Sequence, residues 1–342
     1  MSQPRDEQTP TALENGERET APDRPAGAAP LRPFDARMLD VGDGHWLYVE
    51  EVGRADGVPA LFLHGGPGSG AQYAHRSLFD SERFHALLFD QRGAGRSHPY
   101  LSLQANTTDH HVADIERIRE HFGIERWLIA GGSWGSTLAL AYAQRFPRRV
   151  RGLVLRAVFL GTREEVAWAF VEGPKLFRPE LFADFVGFLP EAERADPLAA
   201  YLARLADPDP AVMGPAARMW NDYERALSRL QPAQTRLQAE PQAHGRLPPT
   251  PFFEAHYIRN DFFLKPDQLL RDAGRLKGIP GVVVQGRYDL LCPPKSAFAL
   301  CAAWPDCRLQ LVEGAGHDMS EPGVARAMTE AVSLLGAPDR LP

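Results

Sequence analysis

Cysteine is scarce in this 342-residue chain. Cys292, Cys301 and Cys307 are an odd number at spacings that fit neither a zinc site nor a disulfide framework, so thiols in a reducing compartment are expected. The opening stretch MSQPRDEQTPTALENGERET lacks the apolar region of a secretory signal, and no hydrophobic run is long and uniform enough to span a bilayer. A cytoplasmic protein with no membrane partner is therefore expected. Neither sign of charge is massed on one segment: the formal charge is −6, the pI is near 6.0, and Lys and Arg are scattered. That excludes the basic footprint of a nucleic-acid partner or of binding to an anionic membrane surface. Internal repeats are also absent.

What is present is a large apolar fraction, 44% of residues, enough to bury a sizeable core. Residues 1–33 do not share it; they are rich in Pro, Glu, Asp, Thr and Gly and nearly free of aromatics, which implies a disordered N-terminal tail. After the tail, His45–Val52 alternates as a strand, and Ala60–Leu63 and Ala86–Phe89 are short continuous apolar runs of the kind buried parallel strands show. A helix is expected near Thr108–Phe122 with Gly123 as its stop, then strands at Trp127–Ala130 and Gly152–Val158 around a helix ended by Pro147. This alternation implies an α/β fold with a mostly parallel central sheet covered by helices on both faces. Between Gly161 and Lys265 the strand pattern vanishes into helical, aromatic-rich sequence, expected as an inserted helical cap whose aromatics are mainly core. Strands resume at Gly281–Val284 and Leu309–Val312, with helices near Lys295–Ala303 and Val324–Leu335. The expected division is a tail over 1–33, a catalytic domain over 34–160 and 266–342, and a cap over 161–265.

The chemistry centres on Gly131-Gly132-Ser133-Trp134-Gly135, a G-x-S-x-G between a strand-like and a helix-like run. In that context the glycines allow a sharp elbow that exposes the Ser133 hydroxyl as a nucleophile, with the Trp134 amide aimed at a developing oxyanion. A serine needs a base and the base an orienting acid. Asp289 follows the strand GVVV and His317 follows the strand LQLV, so the chain order is Ser, Asp, His, while the adjacent Asp318 is expected to be a solvated loop residue. His64-Gly65-Gly66-Pro67-Gly68 follows the strand ALFL directly, making the Gly66 amide the second expected oxyanion donor. That loop lacks the Lys-Ser/Thr of a phosphate-binding loop and the spacing of a dinucleotide fingerprint, so nucleotide binding is not expected. The charges of Asp90–Ser97 are expected to brace loops around the site, and Cys292 either borders the site or is an inert buried thiol.

HGGPG at His64, DQRGAGRS at Asp90, GGSWGSTLAL at Gly131, GRYDLLCP at Gly286 and GAGHDMSEPG at Gly314 occur in one order and spacing. With these motifs the chain resembles the proline iminopeptidases, or prolyl aminopeptidases, serine peptidases of the α/β-hydrolase fold, from about Phe34 to the last helix. The resemblance implies release of an N-terminal proline from short peptides. No metal or organic cofactor is expected, because side chains supply the nucleophile and both proton steps. The resemblance also implies that Glu224, in WNDYE, and Glu254, before His256-Tyr257 in EAHY, hold the free ammonium of the substrate. Glu254 lies among Phe252, Phe253 and Tyr257, where an unpaired carboxylate would be costly. Two departures from the pattern stand out: Tyr223 in place of a second tryptophan, and the Gly161–Glu165 segment. The expected function is a serine exopeptidase using Ser133, His317 and Asp289. An esterase or amidase on the same scaffold is the alternative, and a non-catalytic binding module a remoter one.

Overall fold

The computed structural model describes residues 31–238 and 247–337. The expected tail lies outside the described residues over 1–30. Residues 31–33 have no regular secondary structure, and Leu31 packs on the core while its carbonyl accepts a hydrogen bond from Arg76 Nη1 at 3.1 Å.

Eight strands form one sheet: β1 (Asp35–Gly42), β2 (His45–Gly53), β3 (Val58–Leu63), β4 (Phe84–Phe89), β5 (Trp127–Ser133), β6 (Val150–Val158), β7 (Gly281–Gly286) and β8 (Cys307–Val312). Their spatial order is β1-β2-β4-β3-β5-β6-β7-β8. The β1–β2 and β2–β4 pairs are antiparallel and all other neighbours are parallel. Parallel strands covered on both faces must be apolar at every position rather than at alternate ones. In β5, Trp127 and Ile129 enter one core while Leu128 and Ala130 enter the other, and β4 and β7 are buried throughout. The strand not foreseen from sequence is β1, of which only Val41 is buried, so its residues carry no apolar periodicity.

The helices follow chain order. Around the first part of the sheet lie α1 (Tyr73–Arg76), α2 (Thr108–His121) and α3 (Trp134–Arg145). Between β6 and β7 come α4 (Arg163–Ala167), α5 (Gly173–Phe177), α6 (Pro179–Gly187), α7 (Pro197–Leu205), α8 (Pro210–Leu227), α9 (Thr250–Arg259) and α10 (Gln268–Arg271). The last two are α11 (Pro294–Ala303) and α12 (Pro322–Leu335). Ile115 and Ile118 of α2, Leu138 and Tyr142 of α3 and Leu300 of α11 pack on one face, and Val324, Met328 and Val332 of α12 with Leu78 and Phe79 pack on the other. No strand interrupts the described residues between β6 and β7. Their core is aromatic: the ring of Phe185 lies parallel to Tyr201 at 4.0 Å and to Tyr223 at 3.9 Å, and Tyr223 Oη donates to the Phe170 carbonyl at 3.2 Å. Tyr223 is thus a buried core residue.

The cysteine expectation is corrected. Cys301, at the end of α11, and Cys307, at the start of β8, form a disulfide, with Cα atoms 5.2 Å apart. The turn at Trp304, whose backbone amide donates to the Leu300 carbonyl at 2.9 Å and whose carbonyl accepts from Cys307, folds the six-residue separation back on itself. Sequence spacing alone does not reveal that reversal, and of the three cysteines Cys292 alone is a free thiol. No helix among the described residues is long and apolar enough to cross a membrane.

Strand order reverses at β3, flanked by its successor β4 on one side and by β5 on the other. In an open parallel sheet the crevice for ligands opens at such a point, beyond the carboxyl ends of the strands. Leu63 pairs there with Gly131, which sets the HGGPG loop against the Gly131–Gly135 turn. The approach is close enough that a Cβ on Gly135 would lie 2.1 Å from the Leu63 carbonyl oxygen, and one on Gly131 would lie 2.7 Å from the Gly135 oxygen. Gly135→Ala is therefore expected to destabilise the protein by about 1–3 kcal/mol or more. Gly187→Ala, where an added Cβ meets nothing within 4 Å, should be neutral or stabilising. Urea denaturation of both variants checks the contrast; equal midpoints would remove the packing argument.

Candidate functional site

Ser133 ends β5 and immediately precedes α3 with φ 55° and ψ −128°, a left-handed backbone that costs a non-glycine residue about 1–3 kcal/mol. The strain is sustained by the interlocking of Gly131, Gly135 and Leu63, and it turns Ser133 out of the sheet. Its hydroxyl borders a cavity of about 40 Å³, also lined by Gly66, Glu224, Glu254 and Cys292, with Phe159, Phe170, Ile258 and Phe262 among its apolar walls.

Trp134 is the first residue of α3, so its amide is one of the helix N-terminal donors without an intrahelical acceptor, at the positive end of the helix dipole. Its indole fixes the neighbouring loop. Trp134 Nε1 donates to Gln91 Oε1 at 2.9 Å, and Gln91 Nε2 donates to the His64 carbonyl at 3.0 Å. The Gln91 amide donates to His64 Nε2 at 3.0 Å, so the proton of this imidazole is on Nδ1, 2.9 Å from the Gly65 carbonyl. Burial pushes the pKa of His64 down, in keeping with a neutral ring. Gly66 lies in this clamped loop at φ +102°, where a Cβ would sit 2.6 Å from the Gly68 nitrogen.

Asp289 and His317 occupy the loops after β7 and β8. His317 Nδ1 lies 2.9 Å from Asp289 Oδ2 and 3.0 Å from Oδ1. Asp289 Oδ1 also accepts from the amides of Leu291 at 3.1 Å and Cys292 at 2.8 Å, which fixes the carboxylate facing the ring. Asp318 is not part of this pair; it accepts from Arg229 Nε at 3.0 Å and from the Ser320 amide at 2.8 Å. The Asp90 segment braces the site: Asp90 accepts from the Ala71 amide at 2.6 Å and from Arg96 Nε at 2.7 Å, and Arg92 makes a bidentate pair with Asp114 at 2.6 and 2.7 Å.

Glu224 of α8 and Glu254 of α9 both line the cavity, close enough for each to act on the ionisation of the other. Glu254 is buried, and its Oε2 accepts from Trp220 Nε1 at 2.6 Å. Burial raises the pKa of both carboxyls, and the charge of Glu224 adds to the effect on Glu254, which is held well above the usual carboxylate range. Two acids this close in a site of restricted solvent cannot both ionise cheaply. Cys292 proves to be both buried and part of the cavity; burial first, and then the Asp289 charge, push its thiol well above the usual range, which keeps it protonated.

Of the residues expected from sequence, Gly66, Ser133, Glu224 and Glu254 share one cavity, Trp134 adjoins it, and Asp289 and His317 are hydrogen-bonded to each other. Arg156 was not expected at the site; its Nη1 donates to the His317 carbonyl and its guanidinium lies across Gly132, where a Cβ would be 2.6 Å from Nε. Its signal was available as a charge within the buried strand VRGLVLRAV. Gln91 and Trp220, the two side chains that hold the HGGPG loop and Glu254, carry no such charge signal. Among the described residues no group of three or more His, Cys, Asp or Glu could hold a metal ion. Chemically, the arrangement offers a strained hydroxyl, an imidazole oriented by a carboxylate, amide donors, and an acidic pair lining the same small cavity as the hydroxyl.

The family model for the alpha/beta hydrolase fold matches residues 59–324. A proline iminopeptidase of Neisseria gonorrhoeae is 44% identical over 304 residues, covering 88% of this chain and 96% of that protein. One of Arabidopsis thaliana is 40% identical over 320 residues, covering 93% and 84%, and a probable proline iminopeptidase of Leptolyngbya boryana is 41% identical over 308 residues, covering 88% and 94%. Among solved structures, a proline iminopeptidase-related protein of Thermus thermophilus superposes with a TM-score of 0.57 at 26% identity, over 89% of this chain and 99% of that one. With a hydrolase-fold sheet, a strained serine at its switch point and relatives of this similarity along nearly its whole length, the chain belongs to the proline iminopeptidase family of α/β-hydrolase-fold enzymes.

Proposed function

We propose that this enzyme releases an N-terminal residue, preferentially proline, from short peptides through an acyl-enzyme. The observation that carries the reading is that Ser133 and the Glu224–Glu254 pair line the same cavity. An exopeptidase must recognise a terminal ammonium next to the bond it cuts, and a desolvated ammonium needs carboxylate partners. Proline's ammonium has two N–H donors, matching two carboxyls, and its compact ring suits the apolar walls provided by Phe170, Ile258 and Phe262.

In this reading Ser133 Oγ attacks the carbonyl carbon of the first residue while His317 accepts its proton. Asp289 holds the Nδ1–H and stabilises the imidazolium. The Gly66 and Trp134 amides donate to the oxyanion of the tetrahedral intermediate. His317 then returns the proton to the leaving amine of the shortened peptide. Water, activated by the same imidazole, hydrolyses the prolyl ester on Ser133. Segments 34–160 and 266–342 supply these groups, and segment 161–265 acts as the cap that supplies the amine site. An esterase with no need for a free amine would leave the buried carboxyl pair without a role.

Ser133→Ala is expected to lower kcat on a proline arylamide by about 10⁴-fold or more with the fold intact. Glu224→Gln and Glu254→Gln should impair free-amine substrates and spare an N-acetyl-proline ester. Equal loss on both substrates would argue against amine recognition.

Stability gives a separate check. A carboxyl whose folded pKa is raised contributes stability that is complete below its ordinary value of 4.5 and is lost as pH rises through the folded value. Glutamine resembles the protonated acid and can still accept from Trp220 and donate to Glu224. Glu254→Gln should therefore unfold at a higher temperature than the parent at pH 8, with the difference vanishing near pH 4. A pH-independent difference would rule out the raised pKa of Glu254.

A further inference from the structure

The loop that carries His317 is seated on α8 rather than left to solvent. Ser228, the residue capping the C-terminus of α8, offers its carbonyl to two amides, His317 at 3.0 Å and Asp318 at 2.8 Å. Arg229 Nε donates to Asp318 Oδ2 at 3.0 Å, and the Leu230 amide donates to Glu321 Oε1 at 2.9 Å. Gly316 is pressed against the same turn, where a Cβ would lie 2.9 Å from the Leu230 nitrogen. The last carbonyls of a helix lack intrahelical donors, and here the histidine loop provides them.

One turn earlier on the same helix is Glu224. The Ser228 amide donates to its carbonyl at 2.9 Å, and its side chain lines the cavity beside Ser133. Four residues of helix rise about 6 Å. A single short piece of rigid backbone therefore carries the acidic pair at one point and the support of the imidazole at the next. From the opposite side the Arg156 guanidinium holds the His317 carbonyl, so movement of the loop away from α8 is the freedom that the Arg229, Asp318 and Glu321 contacts remove.

We propose that Arg229, Asp318 and Glu321 are positioning residues that clasp the His317 loop to the C-terminal turn of α8, fixing the amine site relative to the base and so confining cleavage to the first peptide bond. The proposal rests on the reading of Glu224 as an ammonium ligand. The clasp acts on substrates that are anchored by their amine; a substrate without that anchor can settle against a displaced imidazole. Partly exposed ion pairs add little to global stability, so the effect belongs to turnover rather than folding.

The test uses the full-length enzyme, a proline arylamide and an N-acetyl-proline ester. Arg229→Ala combined with Glu321→Ala should lower kcat on the free-amine substrate about tenfold and change ester turnover less than about twofold. The charge exchange Arg229→Asp with Asp318→Arg should recover most of the loss caused by Arg229→Asp alone. In a Glu224→Gln background the clasp substitutions should add no further loss, because the anchor they serve is gone. Equal loss on the two substrates, with or without a lower melting temperature, overturns the clasp, as does full additivity with Glu224→Gln. If Glu224→Gln and Glu254→Gln themselves fail to separate the two substrates, the amine-site reading falls and the clasp falls with it, a result distinct from failure of the clasp alone.

Discussion

The contact on which the site depends is between two backbones. At the carboxyl ends of β3 and β5 the Leu63 carbonyl occupies the volume that a side chain at residue 135 would need. Only glycine allows that approach, and the approach in turn lets the chain leave β5 through a left-handed serine and enter α3 at once. Everything chemical at this end of the sheet is referred to that elbow. The HGGPG loop is held against it through the hydrogen bonds of Gln91 with His64 and Trp134, and the Arg156 guanidinium lies across Gly132 and reaches the His317 loop. The rigidity is built from main-chain packing and a few buried polar links, which deform less readily than side chains on a surface loop.

The helices between β6 and β7 bring a second acidic group to the site, the Glu224–Glu254 pair. Their aromatic core around Phe185, Tyr201 and Tyr223 holds α8 in place without contributing to the cavity itself, and Trp220 spans the two functions by packing against Phe170 and donating to Glu254. Buried acids facing each other are poor stabilisers. Their presence in the cavity wall fits the ammonium site proposed above better than a role in the architecture.

Much of this arrangement was legible from the residues. Four-residue apolar runs such as ALFL and GVVV marked buried parallel strands, and each was followed by a loop bearing a chemically useful group, so the order Ser133, Asp289, His317 could be read before any coordinates. Other features were hidden for physical reasons. The β1 strand buries only Val41 and has no periodic signature. Cys301 and Cys307 are joined by a turn that spacing alone does not encode. Glu224 has charged neighbours, Asp222 and Arg225, which suggest a surface position; yet it stands four residues after the buried Trp220 and three before the buried Leu227, on the inward stripe of α8. The helical period was the better guide there than local composition. Contacts between distant segments, such as Ser228 with the His317 loop, leave no local mark at all.

The raised pKa of Glu254 beside Glu224 has a consequence for calorimetry. A cation entering the pair favours the ionised carboxylates, and any proton it releases must depart to bulk solvent and return when the site empties. Over a complete turnover the exchange cancels, but in a binding measurement it does not. The apparent heat of association will carry the ionisation enthalpy of whatever buffer receives the proton, so titrations in phosphate and in Tris would differ for the same ligand, and their difference would count the protons displaced.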